Sequence, residues 1–294
     1  MARPRPTMLE KPFKDLASWT DYVARQDIPV LRRTASRLGA LAQAERGGEL
    51  EVDARHVAEA IGDDALMALR LFSHVACRRA GHADAEVATV ERAVLMLGVA
   101  PFFRAFAEPS TIEARLGGDP RAHAGLVRVL RRGQRASRLA LEFAVWRNDV
   151  NAEEIALAAL LHDLAEMLMW CLAPALMHRI ADLQARDPAL RSGIAQREVL
   201  NIELNDLQVA LAGRWRLPAL LAALMDDRHA EAPRVRNVLL AVRVARHSAR
   251  SWRNPALPDD YRDIGALLAV SPAKAAEIAG APGAAPEGAC TLAG

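Results

Sequence analysis

Between Asn151 and Pro174 the chain reads NAEEIALAALLHDLAEMLMWCLAP, apolar on nearly every side of a helical wheel except at His162, Asp163 and Glu166. Asn151 suits an N-cap, Glu154 three residues on would complete a capping box, and Glu153 and Glu154 lie where the helix dipole favours carboxylates. Pro174 closes the run. The pattern predicts one helix of about five turns or more. A helix apolar all round belongs inside a large protein or in a membrane, and the His-Asp pair halfway along argues against a membrane span. The stretch is therefore expected to be the central helix of a helical domain.

Elsewhere apolar positions recur at helical spacing between Gly, Pro and capping residues, and no Val/Ile/Thr-rich alternating run argues for a sheet. A first helix is predicted from near Asp15 or Ser18, and a second from Leu31 to about Ala44, broken by Gly47-Gly48. Asp53 caps a third through Ile61, and Gly62-Asp63-Asp64 opens a fourth that ends at Gly81-His82. Val87–Glu91 leads into the apolar run Glu91–Glu108. Asp119-Pro120 opens a long helix through about Trp146, and the pattern stays helical over Arg179–Arg186 up to Asp187-Pro188. Further helices are predicted over about 191–202, 205–215, 218–227 and 234–252. No fixed period repeats, which excludes a regular solenoid.

The expected fold is all-α and two-lobed. Residues 1–14 read as a disordered lead-in, 15–110 as an N-terminal helical lobe, 111–279 as a second helical lobe and 280–294 as a low-complexity tail rich in Ala, Gly and Pro. The divide is placed in the Pro-, Ser-, Thr- and Gly-bearing stretch Glu108–Gly118.

Composition narrows the function classes. The 294 residues are 52% hydrophobic and 25% charged, a folded protein's balance, and the net charge of +2 is too small to imply a nucleic-acid or membrane partner. Arg supplies nearly all the basic residues, with Lys11, Lys14 and Lys274 the only lysines. Cys77, Cys171 and Cys290 are too few and too far apart for a disulfide framework or a CxxC metal site, so a reducing cytoplasm is expected. Cys77 and Cys171 read as small buried hydrophobes, and Cys290 falls in the tail. The N-terminus lacks the apolar core of a signal peptide.

His162 and Asp163 hold the chemistry that needs explaining, because burying both is costly without a partner or a metal. Two readings are open: the pair gives a nitrogen and an oxygen to one metal ion, or it closes a structural hydrogen-bond network. Two ligands do not make a site, since catalytic metals take at least three.

Several short motifs, in order, resemble those of the HDOD domain, a bacterial regulatory relative of the HD phosphohydrolases. Asp27–Leu31 (DIPVL) is similar to that family's opening proline motif, Ile61–Asp64 to its "I-x-x-D-P" helix start, and Glu91–Gly98 to its "A-I-x-x-L-G" segment. Ala65 stands where Pro is usual, and Ala76-Cys77 where Asn-Ser is usual. Ala159–Asp163 is similar to "G-L-L-H-D", and Arg197–Leu200 with Trp215–Pro218 keeps the "E-x-x-L" to "W-x-L-P" spacing. The resemblance implies an HDOD-like architecture whose second lobe is an HD-like helical bundle.

The resemblance also implies what is missing. HD hydrolases hold their divalent metal with His, then His-Asp, then Asp. Here the first position falls on Arg132-Gly133 and the last near Val242-Arg243, intervening histidine positions fall on Leu204 and Arg228-His229, and Ala165 and Glu166 follow the His-Asp pair. A degenerate site is therefore expected at His162 and Asp163, with Arg132, Glu166, Asp226, Asp227 and His229 as neighbours and no metal or other cofactor. Arg132 either neutralises Asp163 in a metal's place or lies, with Arg128 and Arg135, on a solvated helix face.

The implied function is non-catalytic signal transduction through a protein partner, with no membrane and no nucleic acid engaged. Two alternatives are a metal-dependent phosphohydrolase acting on a nucleotide or cyclic dinucleotide, and a nucleic-acid-binding regulator using Arg128–Arg138 with Arg246, Arg250 and Arg253. Those Arg positions equally read as a solvated face. His56, His74, His82, His178 and His247 share no spacing, and Met96, Met167, Met169, Phe102 and Phe103 read as core. The sequence does not fix an oligomeric state.

Overall fold

A computed structural model describes residues 9–78, 89–187 and 189–282. His82, Gly81, Cys290 and nearly all of the expected tail lie outside them, as do residues 1–8 of the lead-in. The described residues form helices and no strand; an isolated parallel bridge joins Val30 and Thr111. Over the described residues the fold is all-α, as expected.

The packing divides the described residues into two compact units, one of those up to 131 with those of 163–222, the other of 132–162 with those from 223 on. Unit 1 opens with α1 (Leu16–Ala24), whose Ser18 N–H donates to the Asp15 carboxylate at 2.8 Å, and continues through α2 (Arg32–Gly47) and α3 (Ala54–Ile61). Asp53 caps α3 at the predicted position, accepting from the His56 N–H. Then come α4 (Ala65–Arg78), α5 (Val90–Leu97), α6 (Val99–Ala105) and α7 (Ile112–Leu116). Gly98 takes φ +84 between α5 and α6, where a side chain would be strained, so the predicted run Glu91–Glu108 turns there.

The long α8 (Pro120–Trp146) starts in unit 1 and ends in unit 2. It is followed by α9 (Ala152–Leu161) in unit 2 and α10 (Leu164–Leu172) in unit 1. Unit 1 is completed by α11 (Pro174–Arg186), α12 (Ser192–Leu200), α13 (Leu204–Arg214) and α14 (Ala219–Leu224), the last reaching the unit boundary. Unit 2 closes with α15 (Pro233–His247), α16 (Leu257–Leu268) and α17 (Pro272–Ile278). The last two, absent from the predicted set, bear plain helix starts: Pro258 and Pro272 in the first turn and a Ser271 hydroxyl accepting from the Lys274 N–H.

Two features hold the core of unit 1. The fully buried Trp19 donates its indole N–H to the Leu200 carbonyl at 2.8 Å, joining residues 181 apart. Gly125 on α8 lets Trp170 of α10 pack close, since a Cβ there would stand 2.6 Å from the indole ring. The stretch 108–118, where the sequence places the lobe divide, is hydrogen-bonded into this unit: Val30 N–H donates to Ser110 O at 2.8 Å and Ile112 N–H to Val30 O at 2.9 Å. Around them Asp27 accepts from Arg70 and from the Ser110 hydroxyl.

Two expected core residues are exposed: Cys77 and Met96 reach the surface of the described residues, whereas Cys171, Met167, Met169 and Phe102 are buried. Burial pushes the Cys171 thiol up to about 12, which leaves it un-ionised and inert.

Candidate functional site

The expected single helix through the His-Asp pair is two helices. The turns of α9 stop at Leu161, His162 and Asp163 form a turn with Asp163 at φ −105 and ψ 27, and α10 restarts at Leu164. No Gly or Pro marks the break. The capping box at Asn151 is also not formed; its side chain caps nothing, and its N–H donates to Asp149 at 3.0 Å. The span Ala152–Leu172 is long and apolar enough to cross a membrane by composition, but 89% of its apolar window is buried inside the protein.

His162 belongs to unit 2 and is 5% exposed. Its Nε2 shares a hydrogen bond with Asp227 Oδ1 at 2.8 Å. Asp227 opens a short 3-10 turn (Asp227–His229) for which Asp226 is the N-cap. Asp226 accepts from the Arg228 N–H at 3.1 Å, from its Nε at 2.8 Å and from its Nη2 at 2.7 Å. Those Arg228 bonds, ahead of the cost of burial, hold the Asp226 carboxyl below its ordinary value. His229 is exposed and stands 4.0 Å from Asp226 and 3.7 Å from Glu231.

Of the expected neighbours, Asp227 therefore meets His162, and Asp226 with His229 belongs to the adjoining turn. Arg132 lies in unit 2, half-buried; Asp163, buried, and Glu166, half-buried, lie in unit 1. Among the described residues no three His, Cys, Asp or Glu side chains are grouped to hold a metal ion. The donors present do not fit the divalent metal of the HD hydrolases.

Sequence reasoning missed the charged cluster beside His162. On α15, Arg243 pairs with the wholly buried Asp260 at 2.8 Å and with Asp263 at 2.9 Å, both on α16. His247 Nδ1 shares a hydrogen bond with the other oxygen of Asp260 at 2.5 Å. Arg243, in the pair Val242-Arg243 near which the resemblance puts the last metal ligand, is thus the cation of an ion-pair cluster. A cavity of about 310 Å³ lies alongside, lined by His162, Asp227, Arg236, Arg243, Arg246 and Asp263 with apolar side chains of α15. The recurrence of Arg at 236, 243 and 246 on one face was the available signal. Arg135, one of the expected stripe, is half-buried: its guanidinium packs over the Trp252 ring, 4.3 Å from the centroid.

The class defined here is an all-α protein with a His-Asp turn whose histidine is engaged by a carboxylate. Residues 28–231 match the family model described as HDOD domain, and the chain belongs to the HDOD domain family. Among solved structures it is similar to the MmoQ response regulator of Methylococcus capsulatus strain Bath, with a TM-score of 0.65, 18% identity, and coverage of 87% of this chain and 99% of that one. It is also similar to a virulence factor of Campylobacter jejuni subsp. jejuni, with a TM-score of 0.61, 18% identity, and coverage of 90% and 93%. These identities speak for the fold alone. No curated protein sequence matches the chain.

Proposed function

We propose that this HDOD protein is a non-catalytic regulator of bacterial signalling in the cytoplasm, acting by contact with another protein. The observation that carries the reading is the state of His162: Asp227 holds its Nε2 at 2.8 Å, and among the described residues no three His, Cys, Asp or Glu side chains are grouped to hold a metal ion. A hydrolytic centre of the HD kind needs a metal to activate water, and this donor set is too small for one. Arg228 engages Asp226 with its guanidinium and so competes for another carboxylate near the turn. The likeness to a protein called a response regulator supports a signalling role.

The test offers the purified chain Mn²⁺ or Fe²⁺ together with a phosphodiester substrate and cyclic dinucleotides. No turnover above that of His162→Ala is expected. Metal-dependent turnover that disappears in His162→Ala would overturn the proposal in favour of a phosphohydrolase. Affinity capture should in addition yield a protein that rebinds the purified chain.

A further inference from the structure

We propose that the cavity in unit 2 beside His162 binds a small organic oxyanion, a carboxylate or a phosphate monoester with an apolar body. The inference goes beyond the regulatory reading and stands without it.

Positions 236, 239, 240, 243 and 246 of α15 all line the cavity, and their spacing puts them on one face of that helix. At 1.5 Å of rise per residue, Arg236 and Arg243 sit roughly 10 Å apart along the axis. Leu239 and Leu240 lie between them. The wall is therefore cationic at both ends and apolar in the middle.

Other charges that line the cavity are already matched. Arg243 pairs with Asp260 and Asp263, and Asp227 with His162. The half-buried Arg236 makes no side-chain hydrogen bond or ion pair among the described residues. A guanidinium stays charged, presents donors in a planar fork, and finds its best complement in the two oxygens of a carboxylate or phosphate. Arg236 lacks such an acceptor among the described residues, and Leu239 and Leu240 are placed to cover the rest of a molecule that supplies it. A cavity of about 310 Å³ lies at the small end of ligand sites, which run from about 300 to 1,000 Å³, so the occupant is the size of a small metabolite rather than a dinucleotide.

Calorimetric titration of the full chain at constant ionic strength tests this, with hexanoate as the carboxylate probe and adenosine 5′-monophosphate as the phosphate probe. At least one is expected to bind saturably at one site, and which one binds separates the two chemistries. Arg236→Leu should weaken that binding by about tenfold or more, the effect of losing a charge-assisted hydrogen bond. Arg236→Lys, which keeps the charge and loses the fork, should fall between. Arg250→Leu removes an exposed positive charge outside the cavity and should leave the affinity within about twofold. The proposal is overturned if neither probe binds saturably, if Arg236→Leu binds as tightly as the unaltered chain, or if Arg250→Leu loses as much as Arg236→Leu.

Discussion

Asp64 in unit 1 and the acids of unit 2 solve the same problem in opposite ways. Asp64 is wholly buried and accepts from three backbone N–H groups, those of Leu31 at 2.9 Å and of Leu66 and Met67 at 3.1 Å. It caps α4 and ties the 27–31 segment to it without any counter-charge. Asp260, equally buried, relies on Arg243 and His247, and Asp149 on Arg234. A carboxylate held by peptide groups is fixed by backbone, near and far, while one held by cations depends on side chains that arrive from other helices. The first kind serves architecture; the second can be rearranged without unravelling a helix.

The difference also sets the sign of the pH response. Burial pushes the Asp64 carboxyl up, against the opposing pull of its hydrogen bonds. Stability from that group is present at acid pH and is lost as pH rises from its ordinary 3.8 through the raised value. For Asp149 burial also pushes upward, but the Arg234 bond, the Asn151 N–H and the Arg147 charge outweigh it and leave the pKa lowered. Its stabilisation is present above 3.8 and is lost as pH falls through the lowered value.

The sharpest way to break the comparison is Asp64→Ala. Three buried N–H groups lose their acceptor, and a loss of about 4 kcal/mol is expected in urea unfolding. A loss under about 1 kcal/mol would show that Asp64 is no keystone. Arg243→Met should cost about 2 kcal/mol, less than a fully buried pair because the arginine is partly exposed, and His247 still reaches Asp260. A neutral or stabilising result would mean that the α15–α16 junction holds by packing alone. Arg234→Met should cost about 1 kcal/mol at neutral pH and move the onset of acid unfolding to higher pH, measured by circular dichroism; an unmoved acid limb would remove Asp149 from the argument. Smallest of all, Asp227→Asn should change the melting temperature little, because Asp227 is 41% exposed and the amide can still bond His162. A loss above about 2 kcal/mol would make that pair structural.

The same contrast explains what could be read from the sequence. The limits of α3 and α8 fall where Asp53, Gly62 and Pro120 put them, because caps and breakers act over a few residues. The motifs around Asp27, Asp64 and His162 were legible for the same reason and led to the family. The turn at His162-Asp163 was not, since no Gly or Pro marks it and His162 takes its partner from 65 residues away. Asp260 and Arg243 were invisible as a pair, because nothing in either helix alone says which face of the other it meets. The exposure of Cys77 and Met96 was likewise a tertiary matter: both sit in apolar runs.

The clasp between Asp27–Leu31 and Ser110–Arg115 also bears on how the chain is made. Arg32 and Glu113, which meet at its edge, are 81 residues apart. At a ribosomal rate of 5–20 residues per second, the first half of the clasp waits on the order of ten seconds for the second. Trp19 waits longer still, for a carbonyl 181 residues downstream. Throughout that interval the indole stays in water and the loop amides bond to water, so these early helices gain their last contacts only once later segments have been made.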